Sequence, residues 1–157
     1  MRDNCFFKEL MNTDILEGWL DLLDWILSDD KFDKWNSGHI KQYTSFINSY
    51  PCVKKNNFFH ENIKKTRTLI PSNNKRGFYV VLQGNKSISR DLIRHIRNGI
   101  AHGNIRFRKN RQYLEIRDFY ANNFKYANKG DISAYIMIPC SFIFDLKKKY
   151  FEIDKKI

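Results

Sequence analysis

The chain has 157 residues, enough for one domain with a substantial core, and 42% hydrophobic with 15% aromatic content argues against general disorder. Its net charge of +11 is unevenly spread: residues 1–33 hold three Lys/Arg against nine acids, a balance of −6, so the remainder carries +17 and points to an anionic partner such as RNA. No apolar run approaches the roughly 18 residues of a membrane span, the polar start Met1-Arg2-Asp3-Asn4-Cys5 is unlike a secretory signal, and Cys5, Cys52 and Cys140 suit neither a disulfide framework nor a zinc site, so a cytoplasmic setting is expected.

Asn12 or Thr13 is expected to open a first helix reaching Leu27, with Ile15, Leu16, Trp19, Leu20, Leu23, Ile26 and Leu27 as a broad apolar face and Glu17, Asp21 and Asp24 outside it. Trp19 and Trp25 read as core residues, and the width of the face leaves room for a dimer seam. Phe32 to Gly38 reads as a loop punctuated by Gly38. A short helix from His39 to Tyr50 follows, stopped by Pro51. Asn56 or Asn57 can cap a further helix from Phe58 to about Leu69, ending in Lys64, Lys65 and Arg67. His39 and His60 have no evident partner and read as surface or packing residues.

Pro71 to Gly77 is a polar loop. Phe78 to Leu82 is apolar and β-branched, but with Gln83-Gly84-Asn85 behind it and no hairpin partner nearby it reads as helical or irregular. Ser87 is the expected N-cap of the next helix, with Asp91 near its positive end. Ile88, Leu92, Ile93, Ile96 and Ile100 recur at helical spacing, and Gly103 is a natural stop. At about 100° per residue, Asp91, Asn98 and His102 share a polar stripe flanked by Arg94 and His95.

Beyond Gly103 the period changes. Asn104–Arg108 and Gln112–Asp118 alternate apolar and charged residues around Lys109-Asn110-Arg111, a β-hairpin signal, and Ala134 to Ile138 reads as a third strand before Pro139. Arg106, Arg108, Lys109, Arg111 and Arg117, interleaved with Phe107, Tyr113 and Phe119, form a candidate RNA-binding ribbon. The alternative is an ordinary hairpin with its aromatics inward and its cations outward. Ser141 is expected to cap a last helix, Phe142 to about Ile153, with Phe142, Leu146 and Tyr150 on one face and Lys147-Lys148-Lys149 outside.

The stretch Arg94-His95-Ile96-Arg97-Asn98-Gly99-Ile100-Ala101-His102-Gly103 gathers cations, two imidazoles and an amide at a helix end. Histidine moves protons near neutral pH, and arginine's forked cation suits phosphate charge. Arg97 and His102 lie about 140° apart on an ideal helix. To act together they need the helix to loosen after Gly99, the Arg97 stem to reach round, or two subunits to contribute one each.

The segment Arg97-Asn98-Gly99-Ile100-Ala101-His102 resembles the R-polar-x-x-x-H signature of the HEPN superfamily, and its Ile-Arg-Asn-Gly-Ile-Ala-His-Gly context is similar to the bacterial branch. The earlier Arg90…His95 has the same bare spacing without that context. The resemblance implies a mainly α HEPN-like bundle spanning residues 1–157, with a small antiparallel hairpin or three-stranded sheet inserted at about 104–139 and a C-terminal helix at about 141–153. It implies a homodimer that cleaves RNA without metal or cofactor. By the resemblance Arg97 and His102 would be the catalytic positions and Asn98 the polar one between them; the expected substrate contacts, Arg94, His95, Arg106, Arg108, Lys109 and Arg111, are read from their charge and their places beside the motif and along the hairpin. Such proteins often act as toxins or antiviral effectors, which implies a neutralising partner such as a nucleotidyltransferase-like antitoxin. A catalytically silent RNA- or protein-binding module is the alternative.

Overall fold

A computed structural model describes residues 16–28, 31–50, 53–55, 79–82, 87–108, 112–123 and 128–157. Four helices of 12 to 15 residues dominate these, α1 (Leu16–Leu27), α2 (Ser37–Asn48), α3 (Ile88–Ala101) and α4 (Cys140–Asp154). Five short strands accompany them, β1 (Val53–Lys55), β2 (Tyr79–Leu82), β3 (Ile105–Arg108), β4 (Tyr113–Phe119) and β5 (Ile132–Pro139). The expected opening of the first helix at Asn12 or Thr13, Pro51, the proposed helix at 58–69 with His60, the 71–77 loop, and Cys5 and Cys52 lie outside the described residues.

In α1 the buried stripe is Trp19, Leu22, Leu23, Trp25 and Ile26, while Leu20 is 53% and Leu27 39% exposed. The core face is thus rotated from the expected one, taking in Leu22 and leaving out Leu20 and Leu27. Leu20 and Leu27 stand about 80–100° round the helix from Trp19, off the i, i+3, i+4, i+7 stripe. Helix α2 starts two residues earlier than expected, because Asn36 is its N-cap. The Asn36 Oδ1 accepts from the His39 N–H at 3.0 Å and the His39 Nδ1 accepts from the Asn36 N–H at 3.3 Å, a reciprocal capping box. Gly38 therefore lies in the first turn rather than marking the end of a loop, and His39 is a capping residue.

An aromatic seam joins α1, α2 and α4. Trp35 stacks on Tyr150 at 4.7 Å, and its indole N–H donates to Asp154 Oδ1 at 2.9 Å. The Tyr43 hydroxyl donates to the Leu146 carbonyl at 2.7 Å and the Tyr150 hydroxyl to the Lys31 carbonyl. Each ring buries a large apolar body while its polar tip finds a partner, which is how a Tyr or Trp sits in a core without an unsatisfied donor. Helix α4 begins one residue before the expected Ser141, with Pro139 at the N-cap and no side-chain cap bond.

The sheet runs in the order β1-β2-β5-β4-β3. Strands β3, β4 and β5 are the antiparallel trio expected after the signature helix, with Arg106 opposite Glu115 and Ile116 opposite Ile136. Two strands from earlier in the chain extend it. β2 pairs antiparallel with β5, Val80 opposite Ile136, and β1 pairs parallel with β2. Residues 79–82 are thus a strand, not helical or irregular: their partner is more than fifty residues further on, out of reach of any local hairpin argument. Along β3, β4 and β5 one face carries Ile105, Leu114, Ile116, Ala134, Ile136 and Ile138, all in one buried cluster with the four helices. The other carries Arg106, Arg108, Glu115, Arg117, Tyr135 and Met137. Among the described residues no helix is long and apolar enough to cross a membrane.

Candidate active site

Helix α3 lies on the apolar face of the sheet. Ser87 caps it as expected, its hydroxyl accepting from the Arg90 N–H, and Ile88, Leu92, Ile93, Ile96 and Ile100 are buried. Gly99 permits the closest approach. A Cβ there would overlap Ile116 Cγ2 and stand 3.2 Å from the Arg117 carbonyl oxygen.

The helix end is built in the same way down to single hydrogen bonds. The His102 N–H donates to the Asn98 carbonyl at 3.0 Å, the Gly103 N–H to Ile100 at 3.0 Å and the Asn104 N–H to Gly99 at 2.7 Å. With Gly103 at φ 70°, this is a Schellman close. The Arg117 N–H then donates to the Asn104 carbonyl at 2.9 Å, fastening the exit to β4. The helix does not loosen after Gly99, so the first of the three ways to unite Arg97 with His102 does not occur. His102 is exposed at the C-cap, and Arg97 is half-buried one turn earlier.

The polar stripe seen in the sequence divides in two. Asp91 and His95 are each 1% exposed, whereas His102, on the same side at the helix end, is exposed. His95 Nδ1 lies 2.7 Å from Asp118 Oδ2 on β4, and the Asn98 amide donates to the same oxygen at 3.0 Å. Arg94 sits at the mouth, its guanidinium 3.3 Å from Asp91 Oδ1 and 3.3 Å from His95 Nε2. A guanidinium can only donate, so this geometry makes Nε2 the acceptor and places the ring proton on Nδ1, facing the carboxylate. The Phe119 N–H donates to Asp118 Oδ1 at 2.9 Å. Burial alone would raise the Asp118 carboxyl, but the bonds from His95 and Asn98 outweigh it and hold it below its ordinary value of 3.8.

On the opposite face of the sheet the cations of the expected ribbon converge on one acid. Arg106 lies 2.6 Å from Glu115 Oε1, Arg117 3.5 Å from the same oxygen, and Arg108 3.2 Å from Oε2. The Tyr135 hydroxyl donates to Oε2 at 3.0 Å. Burial pushes the Glu115 carboxyl up, yet the Arg106 bond and charge, with Arg117 and Tyr135, bring it below its ordinary 4.5. Three guanidinium groups against one carboxylate leave a local excess of positive charge, and each arginine side chain remains between 38% and 48% exposed. Phe107 points the other way, packing edge-on to Trp19 at 5.6 Å. The hairpin therefore has this aromatic inward and these cations outward. Lys109 and Arg111 lie outside the described residues.

Sequence reading missed Asp118 and Glu115. Both had a signal. Asp118 occupies the next inward slot after Leu114 and Ile116 in a period-2 row, where an acid is anomalous. Glu115 is a lone acid opposite two alternate arginines. Among the described residues no three of His, Cys, Asp or Glu are grouped as metal ligands.

A helix ending in Arg97-Asn98-x-x-x-His102, seated on the antiparallel strands β3, β4 and β5 and packed with the three other described helices, is the arrangement expected from the signature together with the strand pattern. The model of the HEPN pEK499 p136 family matches the chain over residues 9–155. The protein belongs to this HEPN family. No curated protein and no solved structure matches it. In this HEPN chain the match takes in the four helices and five strands of the described residues, so the sheet belongs to the family domain. HEPN membership supports a nuclease or RNA-related role in general terms.

Proposed function

We propose that this HEPN protein is an endoribonuclease that cleaves RNA through the substrate's own 2′-OH, working as a toxin or antiviral effector in a bacterial cytoplasm. The observation that carries the reading is the end of α3: an exposed imidazole, His102, five residues after the half-buried Arg97, in a chain of a family whose signature those two residues match.

The chemistry needs no external nucleophile. A base takes the 2′-OH proton, the 2′ oxygen forms a bond to phosphorus, the bond from phosphorus to the 5′ oxygen breaks, and an acid protonates that leaving oxygen. The products are a 2′,3′-cyclic phosphate and a 5′-hydroxyl. His102 supplies an imidazole, the side chain suited to moving protons near neutral pH, and a positioned proton carrier is worth about 10²–10⁴ in rate. Arg97 supplies a permanent cation for the charge that builds on the phosphorane oxygens. One imidazole cannot be base and acid at once, so a homodimer bringing two α3 ends together would supply both. Arg94, His95 and Asn98 border this position. Arg106, Arg108, Lys109 and Arg111 are proposed contacts for the rest of the RNA, and the reading implies a neutralising antitoxin partner.

The test is incubation of the purified protein with mixed cellular RNA in excess chelator, beside His102→Ala and Arg97→Ala. Wild type should leave fragments ending in cyclic phosphate. His102→Ala should lose cleavage while keeping fold and RNA affinity, and Arg97→Ala should lose rate more than affinity. Affinity should also fall steeply with added salt. RNA that stays intact with wild type, yet shifts on a gel, would favour the silent binding module.

A further inference from the structure

The buried carboxylate under α3 has no part in the chemistry above, and nothing in the HEPN signature calls for it. Its position continues the row Leu114, Ile116 on the apolar face of β4, where a leucine would complete the core. Burying a carboxylate instead is costly, and such a group persists only when fully bonded. Here it is: His95, Asn98 and the Phe119 N–H all donate to it. It also sits beside the register irregularity between Asp118 and Phe119, a feature that re-aims side chains.

We infer that Asp118 is a positioning residue for the Arg97–His102 end of α3, acting through Asn98; the inference rests on the nuclease reading above for its effect on rate. A carboxylate only accepts, so Asn98 must turn its NH2 group to Asp118 and its carbonyl oxygen elsewhere. The amide therefore has one orientation. The backbone carbonyl of the same Asn98 holds the His102 N–H. Asn98 is tied to the sheet by its side chain and to the His102 backbone by its main chain, and Arg97 is its immediate neighbour. With Gly99 pressed on Ile116 in the next position, the whole turn is keyed to two alternate residues of β4. His95 adds a second anchor one turn back, so the helix can neither roll nor slide without breaking a bond to one buried oxygen.

The test is Asp118→Asn in the full chain. The variant keeps the shape and an acceptor for His95, and it removes the constraint on the Asn98 amide. Cleavage at saturating RNA should fall by on the order of 10²-fold, with KM nearly unchanged because the phosphate contacts remain. Asn98→Ala should cause a similar loss, and the double variant should lose no more than either alone, whereas independent roles would multiply. Hydrogen exchange gives a readout free of activity. The His102 amide should exchange at least about tenfold faster in Asp118→Asn, while the Leu92 and Ile96 amides keep their protection. If wild type cuts RNA and Asp118→Asn cuts at the wild-type kcat, the inference is overturned. If wild type does not cut RNA, the nuclease reading falls by itself and exchange decides: faster His102 exchange keeps Asp118 as the anchor of this helix end, and unchanged exchange overturns it. Should Asp118→Asn not fold, Asn98→Ala carries the same exchange measurement, read in the same way.

Discussion

Two acids hold this molecule's polar residues in order, one on each face of β4. Glu115 is 3% exposed and gathers three arginines and a tyrosine hydroxyl; Asp118 is 5% exposed and gathers an imidazole, an amide and a backbone N–H. Both carboxyls titrate below their ordinary values. A group whose folded value is depressed gives stability that is complete above the unfolded value and is lost as pH falls through the folded one. For Glu115 the loss therefore lies below pH 4.5, and for Asp118 below 3.8. Glu115→Gln should cost roughly 1–3 kcal/mol at neutral pH, the scale of hydrogen bonds to a charged group. The gap between wild type and variant should close as the pH falls through that lower window, since the wild-type acid is then neutral too. Urea unfolding at stepped pH reads both quantities. A gap that stays constant into acid would remove the Glu115 charge from the account.

At the scale of elements, the signature helix is defined by how closely it meets the sheet. Gly99 is helical and buried, so alanine there gains about 1 kcal/mol of helix propensity. The new Cβ would overlap Ile116 Cγ2, however, and Ile116 is wholly buried with the Arg117 backbone behind it. Overpacking of that kind costs about 1–3 kcal/mol, so steric conflict should win. Gly99→Ala is expected to be destabilised by up to roughly 2 kcal/mol net in urea unfolding, and a variant more stable than wild type would mean that helix and strand have room to separate. Because Gly99 follows Asn98, the shift should also lengthen the Asn98–Asp118 bond.

For the whole molecule the open question is how many α3 ends make one site. The proposed chemistry asks for a base and an acid, and each chain offers one exposed imidazole at the end of α3. If a dimer shares its two ends in one site, a hybrid of wild type with His102→Ala is inactive. An equimolar mixture, dissociated and reassembled, should then retain about a quarter of the wild-type activity per chain, against about half for independent sites. Measuring cleavage across mixing ratios separates a quadratic from a linear dependence, and a linear one would sink the shared site.

Local patterns in the sequence were enough for the elements and the signature. The 3.6-residue period of Ile88, Leu92, Ile93, Ile96 and Ile100, the Ser87 cap and the Gly103 stop delimit α3, period-2 alternation finds β3 and β4, and the apolar run before Pro139 finds β5, because these signals lie within a few residues of one another. The Arg97-Asn98-x-x-x-His102 motif is equally local, and the family that it resembles is the one to which the chain belongs. What depends on distant partners was decided only by the tertiary structure. Strand β2 exists because β5 lies beside it, and the core stripe of α1 is rotated toward Leu22 and Trp25 by what packs against it. The polar stripe on α3 is the sharpest case. Helical geometry places Asp91, Asn98 and His102 on one side but does not say which part of that side is water. The sheet decides it: β4 receives His95 and Asn98 on Asp118, while His102 at the helix end stays exposed, since burial of a polar group requires a partner and for these two it came from a strand twenty residues away.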